Sequence, residues 1–426
     1  MVDASPLECT RAAARCAGTP PAEPGALRTF LRENHFLICF AVLSSLMGVS
    51  VGMAQVTTSL FAVELGSSGS MLGLIAAGQS IGVILMSLPV GLLTDRFGPR
   101  GPFVFGTGLA GGLYALMPFA AAPSQLLLGI VAISCFMPFR FVPLNTLFLQ
   151  QLASLGEAKA GWYRGTHMIG MFLLGPLIGA YVVSTLGTTS SYRLIALAFF
   201  ATILASPIVL SRYSTRPSSA RGSSWHALRA QLRLVLKDRE LSRVSLVEST
   251  AQATAAFFTF FIPILGVHTA GMDERHASSL ITAKGISYIF ALFFLGRWLE
   301  RLGPGRGYAA SFALVAAGLG VVGSTLQPAW LWCGSLLTGL GLGAVQIAAL
   351  TRYAQIGSSR GYGKVSGVSA LVGPAGSLLG GLLGGTAEQW LGLPSVFQLI
   401  AGAFLLASLS LVLLLRGRTV AARLPG

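Results

Sequence analysis

Two basic side chains stand inside long apolar stretches of this chain. Arg140 lies in Phe136-Met137-Pro138-Phe139-Arg140-Phe141-Val142-Pro143-Leu144-Asn145, and Lys284 lies in an apolar run from about 275 to 299. An ionised group in hydrocarbon costs about 3 kcal/mol or more unless it is paired or hydrated, so each is a functional residue by default. The flat guanidinium of Arg140 fits a carboxylate or phosphate, and Lys284 offers a point charge. Together they suit an anionic or oxygen-rich ligand. At about 1.5 Å per helical residue, Arg140 lies roughly 24 Å and Lys284 roughly 14 Å from the nearer outer end of its run. Pro138 and Pro143 shorten the first depth and draw Arg140 toward the middle. The competing readings are structural: Arg140 bonded to carbonyls that the prolines free, and Lys284 reaching back to the surface.

Uncharged polar residues in the same kind of setting extend the candidate site. Gln55 (with Thr57 and Thr58), Asn145, Gln252 and Gln346 are amides inside apolar runs, each able either to touch a ligand or to bridge two helices. Glu248, about six residues into its run and so roughly 9 Å deep, suits a proton carrier, a counter-ion or a gate. His167 suits a contact between helices, and Glu64 and Glu388 suit interfacial positions. The chain carries no phosphate-binding loop, no metal-ligand cluster and no nucleophile set, so the sequence implies no enzyme, cofactor or metal. Its five cysteines (Cys9, Cys16, Cys39, Cys135, Cys333) have neither disulfide nor zinc spacing.

The elements that must position these residues are membrane helices. Charged residues make up 10% of the chain and hydrophobic ones 53%, with a mean hydropathy of +0.72. Soluble domains carry about 25% charged residues. Twelve apolar runs reach the length of a span, about 20 residues: near 35–62, 69–94, 102–121, 124–152, 164–186, 190–211, 242–266, 275–299, 306–325, 328–353, 364–388 and 394–415. The expected fold is thus all-α and integral to the membrane, twelve spans in two pseudo-symmetric six-helix bundles. Its parts are a tail at 1–33, bundles at 34–211 and 242–416 joined by a basic linker at 212–241, and a tail at 417–426. All but four of the 29 basic residues (Arg140, Arg193, Arg275, Lys284) fall on one side of this layout. By the positive-inside rule that side is cytoplasmic and holds both termini. The net charge of +15 is thereby a matter of topology and lipid attraction, not of nucleic acid. Within the linker, Trp225 to Lys237 alternates apolar and basic residues as an interfacial helix does; a solvated tether is the alternative. The strong preference for Arg over Lys points to a GC-rich bacterial genome, hence to an inner membrane.

One motif occurs twice, half the chain apart. Gly91-Leu92-Leu93-Thr94-Asp95-Arg96-Phe97-Gly98-Pro99-Arg100 recurs as Gly296-Arg297-Trp298-Leu299-Glu300-Arg301-Leu302-Gly303-Pro304-Gly305. Gly175-Pro176 and Gly373-Pro374 form a second repeated pair, where a helix loses a backbone donor and bends. With twelve runs in two sets, these features resemble the major facilitator superfamily over nearly the whole chain after the tail. The resemblance implies that Gly91, Asp95, Arg96, Gly98 and Arg100, with Glu300 and Arg301 in the degenerate copy, latch the two halves together on the cytoplasmic side. The receiving surface would be the start of the eleventh helix, near Gly363 to Val365. It also implies that the helices bearing Arg140 and Lys284 face a shared cavity. Arg140 resembles the family's fourth-helix arginine, although Pro143-Leu144 replaces the usual Gln-Gly. Gly170 to Ala180 resembles the antiporter motif, departing in its first spacing and its last residue.

The expected function is therefore a secondary transporter moving a small anionic or polar solute by alternating access, with proton coupling through Glu248 as an option. Three alternatives stand beside it: a proton-coupled drug or metabolite exporter, a carrier of iron or an iron chelate, and a non-transporting sensor or scaffold. The iron reading rests on Gln55 to Gln79, which resembles magnetosome-associated members of the superfamily and would place the protein in a specialised internal membrane.

Overall fold

The computed structural model describes residues 35–155, 161–210, 238–360 and 362–421. The N-terminal tail, nearly all of the basic linker with its Trp225–Lys237 stretch, and the last five residues lie outside these. The order of elements is α1 His35–Glu64, α2 Gly69–Phe97, α3 Arg100–Leu116, α4 Pro123–Phe136, α5 Pro138–Leu155, α6 Gly161–Met168, α7 Gly175–Leu210, α8 Arg239–Ile264, α9 Glu274–Phe294, α10 Gly296–Leu302, α11 Pro304–Ser324, α12 Pro328–Arg360, α13 Tyr362–Leu391 and α14 Leu393–Ala421. Helix starts carry the expected chemistry. The Asp238 carboxylate accepts from the Glu240 and Leu241 amides, Asp273 caps α9 through the His276 amide, and Pro123 and Pro304 open α4 and α11, where a missing N–H costs nothing.

Ten segments among the described residues are long and apolar enough to cross a membrane. Two local features separate this number from the twelve runs of the sequence. The first is the 46-residue span Gly165–Leu210, far longer than a bilayer of about 30 Å requires. It breaks at Gly187, whose φ of 79° and ψ of 169° only glycine adopts readily. The second is α13, 30 residues long, which is not one of the ten. The run at 124–152 is in turn divided at Met137 by Pro138, giving α4 and α5. The repeated motif does form the same turn twice: Gly98 caps α2 at φ 79°, ψ 169°, and Gly303 caps α10 at φ 75°, ψ 164°.

Glycine also sets how closely the helices approach. A methyl group on Gly48, Gly52 or Gly170 would strike the backbone of the helix opposite, which packs α1 on α6 and on the π-helical turn Ile169–Leu174. The same holds for Gly376 and Gly380 of α13 against Ser249 and Ala253 of α8. Pro176 has no N–H to give the Phe172 carbonyl, and the wider π turn just before it accommodates that loss. Around Pro374 the helix runs on unbroken.

At the face carrying the 65–68 turn, α2 and α13 touch backbone to backbone. A Cβ on Gly385 would lie 2.2 Å from the Gly73 Cα, and one on Gly381 would lie 2.5 Å from the Ala77 nitrogen. Beside them Arg275 of α9 donates to Ser184 of α7 at 2.8 Å and stacks on Tyr181. Helices from the two ends of the chain thus seal this face. Gly385→Val removes the space that the seal needs. In a cysteine-free background a cysteine at Gln79 becomes labelled from this face by a membrane-impermeant maleimide once Gly385 is Val; unchanged labelling contradicts the seal.

Candidate functional site

A cavity of about 310 Å³ lies beneath the seal, walled by helices from both halves of the sequence. Gln55 and Thr58 of α1, Gln79 and Ser80 of α2, and Tyr114 of α3 form one side. Gln252 and Thr259 of α8, Lys284 of α9 and Ser377 of α13 form the other. His167 at the end of α6 also lines it, and its Nδ1 donates to the Ser44 carbonyl at 3.2 Å. Between these polar groups the walls are apolar and aromatic: Phe141, Phe172 and Phe260, with Met137 and Met171.

Lys284 is 2% exposed. Its ammonium donates to Thr259 Oγ1 and to the Ala255 carbonyl at 3.4 Å. The rings of Phe172 and Phe258 lie 5.0 and 5.3 Å from it. Every one of these partners is neutral, and among the described residues Lys284 forms no ion pair. Phe172 reaches this spot because it sits on the π turn and packs on Gly285, where a side chain would strike its Cβ.

Arg140 does not join Lys284. The expectation of two cations facing one cavity is corrected here: Arg140 is 1% exposed and points into the packing of α1, α5 and α7. Its guanidinium lies 3.7 Å from the centre of the Phe199 ring, Nη2 donates to Ser50 Oγ at 3.2 Å, and Nε and Nη1 have no partner. Met137 and Phe141 line the cavity, and Arg140 does not. Asn145, one turn past Phe141, is exposed and does not line the cavity either.

Of the remaining expected site residues, Gln55 and Gln252 line the cavity and Gln346 stands one shell behind. Gln252 Nε2 donates to Gln346 Oε1 at 3.0 Å, and Gln346 Nε2 donates to Glu248 Oε1 at 3.3 Å. Glu248 is 5% exposed. This chain of amides ties a buried carboxylate on α8 to the cavity wall through α12.

The turn residues lie at the opposite face. Arg96 is exposed and stacks on Phe97, and Arg100 is exposed at the start of α3. The Asp95 side chain and those at 361–364 lie outside the described set, so the expected latch partners are not both in view. Glu300 lines a smaller cavity of about 190 Å³ with Tyr308, Arg352 and Gln355. There Arg352 pairs with Glu240, while Arg301 is exposed.

Comparison with known proteins decides the family. The model of the Major Facilitator Superfamily matches residues 38–273 and 244–425. The chain belongs to the major facilitator superfamily. It is accordingly a multi-pass membrane transporter and not an enzyme. The multidrug efflux pump Tap of Mycobacterium bovis and that of Mycobacterium tuberculosis are each 26% identical to it over 192 residues. That stretch takes in 42% of this chain and 45% of each pump, so the chain matches less than half of their length. Among solved structures, a mutant of the nucleoside transporter NupG superposes with a TM-score of 0.76 at 15% identity, covering 88% of this chain and 99% of that one. The unmutated NupG gives 0.70, with 15% identity and coverage of 88% and 98%. At this identity the likeness is one of fold.

Within that facilitator fold, sequence reasoning missed Gln79, Thr259 and Ser377 in the cavity. Gln79 carried a signal, an amide deep in the run 69–94. Thr259 carried none, since its importance arises only from the packing of α8 on α9.

Arg140 behaves in this geometry as a packing element. Arg140→Met keeps most of its bulk without a buried charge, and removing an uncompensated charge is neutral or stabilising. Its Tm in detergent equals or exceeds that of the parent, whereas Arg140→Ala leaves a void costing about 2–5 kcal/mol. If Met lowers Tm as far as Ala does, the charge itself is required and the assignment is wrong.

Proposed function

We propose that the chain is a secondary transporter carrying a small anionic or polar solute by alternating access, with the cavity at Lys284 as its site. One observation supports this most directly: a buried ammonium contributes to the cavity wall with only neutral partners around it. A charge left this way in a membrane is best compensated by a ligand that arrives with the opposite charge. The amides of Gln55 and Gln252 supply orientation without fixing a charge.

The wider architecture follows the same reading. Counting the break at Gly187 as a turn and α13 as a crossing brings the spans to twelve, in halves at 34–211 and 242–416. The arginine distribution then puts the termini and the repeated turns on the cytoplasmic side of a bacterial inner membrane, with the sealed face outward. Gly91, Asp95, Arg96, Gly98, Arg100, Glu300 and Arg301 hold the inner ends together when the cavity opens outward. Glu248, joined to the cavity through Gln346, serves as the proton-coupling group. A second reading, export of lipophilic compounds, draws support from the aromatic walls and from the partial similarity to Tap.

Proteoliposomes separate the two. Under the first reading, an inward proton gradient drives accumulation of anions, and Lys284→Gln abolishes it. Glu248→Gln keeps solute exchange at zero gradient but loses uphill accumulation at least tenfold. Ethidium movement that survives Lys284→Gln, with no anion accumulation in the parent, supports export instead.

A further inference from the structure

The transport reading leaves the solute open, and the cavity constrains it further. An ammonium has three donors. Thr259 and the Ala255 carbonyl take two from Lys284, leaving one for a ligand. Among the described residues Lys284 is the one Lys or Arg that lines the cavity, so no second such charge there balances a dianion. The Gln55 carbonyl oxygen is buried and has no partner, so it lacks a donor that a ligand can supply. Phe141, Phe172, Tyr114 and Phe260 contribute aromatic rings to a wall completed by aliphatic residues such as Val83, Ile130 and Ile133. An aromatic ring favours another planar ring by offset or edge-on contact beyond simple burial. The volume of about 310 Å³ lies at the small end of ordinary ligand pockets, roughly 300–1,000 Å³.

Building on the proposed transport function, we infer that the solute is a small planar aromatic monoanion bearing one hydroxyl or amino donor. Its anionic group meets Lys284, its ring lies among Phe172, Phe141 and Phe260, and its donor meets Gln55. A dianion strands one charge in the apolar wall. An aliphatic acid of equal charge forgoes the ring contacts, and a lipophilic cation is repelled by Lys284.

The test is ligand-induced thermal stabilisation of the purified full chain, titrated to give apparent Kd values. The probes are 3- and 4-hydroxybenzoate, benzoate, 4-hydroxybenzamide, cyclohexanecarboxylate, terephthalate and phenyltrimethylammonium. At least one hydroxybenzoate is expected to bind tenfold or more tighter than 4-hydroxybenzamide, cyclohexanecarboxylate and terephthalate. Lys284→Gln removes that preference over the neutral amide, and Gln55→Met removes the preference over benzoate. Both variants keep polar bulk or shape, and their Tm without ligand reports whether they fold. Equal binding of terephthalate, cyclohexanecarboxylate or 4-hydroxybenzamide overturns the inference, as does the absence of binding by every probe with an apparent Kd of about 1 mM or tighter. Binding of phenyltrimethylammonium or the neutral amide alone, if it protects a Gln55→Cys variant from maleimide, overturns the aromatic-anion class yet leaves the cavity as a transport site. Failure of every probe together with an unlabelled Gln55→Cys overturns both readings.

Discussion

A buried ammonium in a medium that cannot solvate it governs the centre of this molecule. Lys284 is held by a hydroxyl, a carbonyl and two rings, which orient the charge without cancelling it. Such an arrangement is tolerable in hydrocarbon because α8, α9 and the π turn before α7 surround the ammonium with polarisable faces and leave the last donor to a cavity. Arg140 meets the same constraint in a different way. It has a ring to stack on and one hydroxyl and does not line the cavity, so its charge is embedded in helix packing. Two cations that look equivalent by composition therefore sit in different surroundings.

That central cavity exists because the helices around it approach one another closely elsewhere. Lipid tails give helices little hydrophobic reason to associate, so contact area must come from near approach of backbones. Glycines at 48, 52 and 170 draw α1 onto α6 and the π turn, those at 376 and 380 draw α13 onto α8, and those at 73, 381 and 385 join α2 to α13. The first two sets stiffen each half of the chain. The third ties the halves together at one face, by contact of backbone surfaces. A facilitator needs that combination: rigid halves and a seal that opens.

Much of this was legible in the sequence, and the reasons differ by residue. Continuous apolar runs of about 20 residues announce membrane helices because a helix satisfies its own backbone in lipid, and the Gly-Pro pairs of the repeated motif announced the two matching turns at Gly98 and Gly303. The importance of Lys284 could be read from its cost alone. The facing of Arg140 could not, because it depends on how its helix is rotated against α1 and α7. Thr259 and Ser377 were invisible, being ordinary small polar residues until a neighbouring helix brings Lys284 or the cavity to them. Glu248 was visible as a buried acid, but its link through Gln346 to Gln252 depends on the rotation of α12 against α8. The turn at Gly187 was legible too, as the gap between the runs ending near 186 and beginning near 190.

The claim on which the account rests is that the cavity opens to each side of the membrane in turn. The most direct measurement is maleimide labelling of Gln55→Cys, in a cysteine-free background, from each side of sealed vesicles of known orientation. Alternating access predicts labelling from both sides, with the sealed face labelled more slowly. Labelling confined to one side under all conditions would contradict it and leave the cavity a dead-end pocket.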